Sequence, residues 1–217
     1  MATSHPTVLA GARSAIEPLL AAGHGRILVG IAGPPAAGKS TLAATLASDL
    51  CASLGEGGAV AVPMDGFHLS NAQLARLGLA DRKGAPETFD AWGFAALLHR
   101  LRRPAAGEVV YAPEYSRVLH ESIGGAIPVP AATRVLVVEG NYLLLPSPPW
   151  TLARRQLDLV LYLEAATPVR VDALLRRQRA RGLAAAAAQD WVYRSDEANA
   201  ALIGTTKRYA DVVLTRP

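Results

Sequence analysis

Apolar residues fall along this chain in short unbroken runs, separated by longer stretches with a helical period. RILVGIAG (26–33), VAVPMD (60–65), TRVLVVEG (133–140), LDLVLYLE (157–164) and ADVVLT (210–215) are too short for core helices and lack polar alternation. Each is expected to be a strand buried on both faces. Helical patterns lie between them at 8–22, 38–50, 71–79, 91–103 and 166–182. Asp90 is a candidate N-cap for the fourth, and Thr167 with Pro168 fits the cap and first turn of the fifth. Ala184 to Ala188 continues as a helical run. Strands alternating with helices predict an α/β fold, a mostly parallel sheet covered on both faces, over a single domain spanning 1–217. Residues 108–130 break the pattern with alternation, prolines and Gly124-Gly125, which predicts a small β excursion with a substrate-facing loop.

In such sheets ligands collect at the C-terminal strand ends. Asp65 and Glu139 both stand there, and so does GPPAAGKST (33–41). The last string fits G-x-x-x-x-G-K-[ST] between a strand and a helix, the context that a phosphate-binding P-loop requires. Gly33, Pro34, Pro35, Ala36, Ala37, Gly38, Lys39, Ser40 and Thr41 would turn backbone N–H groups around a polyphosphate at a helix N-terminus. Lys39 would pair with the outer phosphates, and the Ser40 hydroxyl would be a ligand of Mg2+. ATP is favoured over GTP, because TKRYAD (206–211) has the wrong spacing for a guanine-reading Asn/Thr-Lys-x-Asp. Glu139 is the second acid near the metal. Asp65 either starts a turn, as Asp-Gly often does, or accepts a proton from an alcohol. Two strand-end acids beside a P-loop suit phosphoryl transfer to a hydroxyl, because simple hydrolysis needs no second acid aimed at an acceptor.

Composition narrows the setting. With 217 residues, 51% hydrophobic and 18% charged, the chain is globular. Cys51 is the single cysteine, which excludes an internal disulfide and fits a cytoplasmic protein. No apolar run approaches the roughly 18–20 residues of a membrane span, and MATSHPTVLAGAR (1–13) lacks the charged start and apolar core of a secretory signal. A net charge of +4 without long Lys/Arg blocks does not point to nucleic acid. The expected partner is a small-molecule alcohol, with monomer and homodimer both open.

GPPAAGKST, MDGFH, RKGAPETFD, PEYSRVLH, VVEGNYLL and TKRYADVV occur in this order and together resemble the uridine kinase, phosphoribulokinase and pantothenate kinase family of P-loop kinases. The resemblance runs from about Arg26 to Thr215. It implies a P-loop NTPase three-layer sandwich with a helical lid near 168–190, ATP, Mg2+ and transfer of a phosphoryl group to an alcohol. It further implies Asp65 as catalytic base, Lys39 and Ser40 at the phosphates and metal, Glu139 as the second strand-end acid, and Arg176 and Arg181 as lid arginines. Pro113, Tyr115 and His120 have the spacing of the uridine kinase residues that meet the nucleoside. Arg177 and Tyr115-Ser116-Arg117 depart from the uridine kinase pattern, and pantothenate kinases are longer with His where Arg117 stands. The closest pattern is a bacterial nucleoside/nucleotide kinase-like subgroup, some of whose members carry the label fructokinase. The acceptor therefore stays open among a sugar such as fructose, a nucleoside and a pantothenate-like acid.

Further candidates follow from position. His68 is placed to bond a substrate hydroxyl or its own turn. Arg82 is placed to clamp an anionic substrate, or is simply solvated. Asn141 faces the acceptor or caps the chain after its strand. Trp92, Trp150 and Trp191 are expected in the core. The competing class is a P-loop ATPase or regulatory nucleotide-binding module that transfers nothing.

Overall fold

A computed structural model describes residues 5–23 and 25–216 of the chain. Residues 1–4, part of the stretch read for a secretory signal, lie outside them. The five apolar runs form β1 (Ile27–Ala32), β2 (Ala59–Pro63), β5 (Val135–Glu139), β6 (Leu159–Ala165) and β7 (Val212–Arg216), all parallel in the order β2-β5-β1-β6-β7. Residues 108–130 form a separate antiparallel hairpin, β3 (Val109–Ser116) and β4 (Glu121–Pro130).

Alternation along each strand builds two cores. Ile27, Val29 and Ile31 point to one face and pack with Leu42 and Leu46 of α2 (Lys39–Leu54) and with Val8, Ala12 and Ile16 of α1 (Pro6–Ala21). Leu28 and Ala32 point to the other, against α4 (Ala91–Arg102), α5 (Trp150–Arg154) and the inner side of the hairpin. Three layers result. The short α3 (Asn71–Leu77) lies outside both cores, with Leu74 its one buried residue. Between β6 and β7 lie α6 (Thr167–Ala180), α7 (Ala185–Trp191), a π-helical turn at Val192–Asp196 and α8 (Glu197–Gly204).

Three local expectations change. β2 stops at Pro63, so Asp65 sits within a 3-10 turn, Met64–Phe67, rather than on the strand. Thr167 is the first helical residue and Ala166 occupies the cap position; the Thr167 hydroxyl instead accepts from Arg170 at 3.3 Å. Trp150 is core, but Trp92 is 64% exposed. Asp90 does cap α4, accepting from the Gly93 amide at 2.8 Å.

The turn that carries Asp65 is held from two sides. A Cβ on Gly66 would lie 2.3 Å from the Pro113 carbonyl oxygen, so only glycine lets the hairpin approach this closely. On the other side the Leu69 amide donates to Thr88 at 2.9 Å and the Asp90 amide to Phe67 at 2.8 Å. RKGAPETFD is thus a brace for the turn, not a free loop.

The opposite end of the sheet is tied by Arg26. Its guanidinium donates to the carbonyls of Leu101 (2.7 Å), Pro130 (2.6 Å), Ala131 (2.9 Å) and Thr133 (2.9 Å). One side chain joins the start of β1 to the ends of α4 and β4. Arg26→Met removes these charge-assisted bonds and should lower unfolding stability by about 2 kcal/mol. A guanidinium chloride titration should show a lower midpoint with an unchanged slope; an unchanged midpoint would mean that water replaces the bonds at no cost.

Candidate functional site

A cavity of about 620 Å³ opens at the C-terminal edge of the sheet, within the range of small-molecule sites, roughly 300–1,000 Å³. Its walls come from the β1–α2 loop, the Asp65 turn, the hairpin and the helices after β6.

The β1–α2 loop has the shape that its sequence demands. Gly33 (φ 147°) lies where a Cβ would meet the Leu163 carbonyl oxygen at 2.3 Å. Gly38 (φ 103°) is the N-cap of α2 and supplies no side-chain acceptor, so the first amides of the helix keep their donors for a ligand. Pro35, Ala36, Gly38, Lys39, Ser40 and Thr41 line the cavity, while Gly33, Pro34 and Ala37 are buried beneath them.

Lys39 is buried. Its ammonium donates to the Pro34 carbonyl at 3.0 Å and to Asn141 Oδ1 at 2.6 Å. Burial pushes its pKa down to about 8, against the opposing pull of Glu139 and Asp65. The Ser40 hydroxyl donates to Glu139 Oε1 at 2.9 Å. Burial, and then the Asp65 charge, raise the Glu139 carboxyl well above the usual carboxylate range. An anion beside Lys39 and a cation beside Glu139 would each reverse these shifts. The hydroxyl and carboxylate are hard oxygen donors, which suit Mg2+. Among the described residues no cluster of three or more His, Cys, Asp or Glu could hold a metal ion; a site that leaves most of the coordination sphere to phosphate oxygens and water needs none.

Asp65 reaches the same cavity from the opposite wall, with His68, Tyr115 and His120. His68 Nδ1 donates to the Asp65 carbonyl oxygen at 2.7 Å, which fixes the tautomer and satisfies the turn reading. Its ring lies 4.0 Å from that of Phe89 and 4.7 Å from that of Tyr115, centroid to centroid. Burial lowers its pKa. Asn141 lines the cavity, and its Oδ1 accepts from Lys39 at 2.6 Å.

Two candidates are corrected. Arg176 is 70% exposed and pairs with Asp172 on the outer face of α6; Arg177, one position on, lines the cavity. One residue rotates a helix by about 100°, so only one of the two adjacent arginines can face inward. Arg82 likewise points out and pairs with Glu87 at 2.6 Å, while Lys83 lines the cavity. Arg181 does line it.

Asp196, Gln178 and Asn199 belong to the wall and carried no motif. The π-helical turn presents Asp196 to Arg177 at 3.7 Å and to the Gln178 amide at 3.5 Å. Gln178 in turn accepts from Arg181 at 2.9 Å. Asn199 and Tyr142 both donate to the Gly84 carbonyl, at 3.3 and 2.5 Å, and so fasten the Lys83 segment from below. A polar residue at a helical core position is the one signal that marked them.

Comparison with known proteins agrees with this geometry. Residues 28–217 match the model of the phosphoribulokinase / uridine kinase family. The chain is 34% identical over 195 residues to "Putative uridine kinase C227.14" of Schizosaccharomyces pombe (strain 972 / ATCC 24843), covering 87% of this chain and 83% of that one. It is 33% identical over 143 residues to a pantothenate kinase of Lacticaseibacillus casei (strain BL23), over 65% of this chain and 46% of that kinase. A crystal structure described as that of a "putative fructose transport system kinase" from Silicibacter sp. TM1040 superposes with a TM-score of 0.85 and 38% identity, covering 97% of this chain and all of the other. The chain belongs to the phosphoribulokinase/uridine kinase family and is a P-loop kinase, an enzyme that transfers a phosphoryl group.

Proposed function

We propose that the protein transfers the γ-phosphoryl group of ATP to a hydroxyl of a small metabolite, a sugar or a nucleoside-like alcohol. The observation that carries this reading is the arrival of Asp65 in the same cavity as Lys39, Ser40 and Glu139, from a separately braced turn. The acceptor oxygen bonds to the γ-phosphorus, the bond from that phosphorus to the β-phosphate oxygen breaks, and ADP leaves. Asp65 orients the hydroxyl and takes its proton. Lys39 and Arg177 offset charge on the transferring phosphoryl oxygens. Ser40 and Glu139 would hold Mg2+, which would supply positive charge to offset that of the phosphates. The helices after β6 cover the cavity and keep out water, the competing acceptor.

The description of the Silicibacter neighbour supports putting fructose among the first sugars tried. The names of the relatives put uridine and pantothenate in the same panel. No helix among the described residues is long and apolar enough to cross a membrane.

Asp65→Asn should reduce acceptor-dependent ADP formation by about 10²–10⁴-fold and leave ATP affinity within about twofold. An ATPase that transfers nothing would show the same slow ADP release with and without acceptor, and the variant would barely change it. Arg177→Met should lower kcat by about 10²-fold, while Arg176→Met should stay within about twofold, as expected for an exposed pair. Equal losses in the two variants would remove Arg177 from the proposed machinery.

A further inference from the structure

Six cationic side chains line the cavity, Lys39, Lys83, Arg117, Arg177, Arg181 and Arg216, against three carboxylates, Asp65, Glu139 and Asp196. Some of this excess belongs to the nucleotide. Lys39 is in the P-loop. Arg216, at the end of β7, lies beside Gly38, where a Cβ would be 3.4 Å from its Nη1. Arg177 pairs with Asp196 and bears on Lys39.

Lys83 and Arg181 sit elsewhere. The Lys83 ammonium donates to the His120 carbonyl at 2.7 Å and to Asn71 Oδ1 at 2.6 Å, and lies 5.3 Å from the Tyr115 ring centroid. These partners belong to the hairpin and to the start of α3, on the Asp65 side of the cavity. An ammonium has three donors, so one remains. Arg181 is four residues beyond Arg177, one turn further along the same face of α6. Its known bond is to the neutral amide of Gln178. Its charge bears on Lys83, His120 and Tyr115. The Glu121 charge bears on Lys83, and its carboxylate already accepts from the Asn71 amide at 3.0 and 3.2 Å. Neither Lys83 nor Arg181 is within ion-pair distance of a carboxylate among the described residues. Half-buried Lys83 and exposed Arg181, neither of them ion-paired, favour an anionic ligand between them over a neutral one.

We propose that the phosphoryl acceptor carries an anionic group, a carboxylate or a phosphate, remote from its reacting hydroxyl, and that Lys83 and Arg181 grip this group and set acceptor specificity. The inference rests on the kinase reading above and narrows its acceptor.

The test uses matched acceptors: glucose with gluconate, fructose with fructose 1-phosphate, and ribose with ribose 5-phosphate, each with ATP and Mg2+. At least one anionic member should exceed its neutral counterpart in kcat/KM by about tenfold or more. The gluconate and phosphate arms separate the two anions. Lys83→Met should raise KM for the preferred anion about tenfold, with kcat nearly unchanged and the neutral member unaffected, and Arg181→Met should weaken the preferred anion more than its neutral counterpart. Lys83→Arg should retain the preference. If Lys83 merely fastens the hairpin, Lys83→Met lowers both members of a pair alike, and the inference fails. A neutral acceptor preferred throughout also overturns it, while an Asp65-dependent rate would leave the kinase reading standing. If no compound in the panel turns over, calorimetric titration of inorganic phosphate into enzyme loaded with ADP and Mg2+ decides. Binding lost in Lys83→Met supports the anion grip; no binding, or binding that survives the substitution, overturns it.

Discussion

An ammonium group in a protein interior is tolerated only where oxygens surround it, and Lys39 imposes that condition on the whole C-terminal edge of the sheet. The oxygens come from different parts of the chain. Pro34 brings the β1–α2 loop, and Asn141 brings the segment after β5. Glu139, at the end of β5, and Asp65, in the turn after β2, bear on it through their charge. Three strands must therefore end at the same level, which the parallel register β2-β5-β1 provides, pairing Pro63 with Glu139 and Ile31 with Glu139. The apolar layers above and below hold that register, and the chemistry at the edge depends on it.

Much of this was legible in the sequence because the cause was local. Strands buried on both faces leave unbroken apolar runs, so all five parallel strands announced themselves. The P-loop packs its backbone requirements into nine consecutive residues, and the hairpin is the one stretch where period and composition change together. Asp90 could be assigned as a cap because capping is decided within four residues.

What remained hidden was angular phase and long-range contact. In RRQRAR (176–181) any arginine can be the inward one, and the packing of α6 on its neighbours selects Arg177 over Arg176. The same ambiguity of one step put Arg82 where Lys83 belongs. Asp196 owes its position to a π-helical turn, and a single widened turn leaves no compositional trace. The glycine in MDGFH suggested only a turn, whereas its physical reason is a carbonyl 47 positions away in a different sheet.

That contact through Gly66 has a wider meaning. At Gly66 the hairpin meets the Asp65 turn through main chain, the Pro113 carbonyl against a residue with no side chain; next to it Tyr115 and Ser122 touch His68, while Val118 and Leu119 at the tip face solvent. Backbone contact is indifferent to the identity of neighbouring side chains. At that point the approach of the hairpin does not depend on which side chains its outer face carries. Solvent-facing residues such as Val118 and Leu119 can then change without moving Asp65 relative to the P-loop.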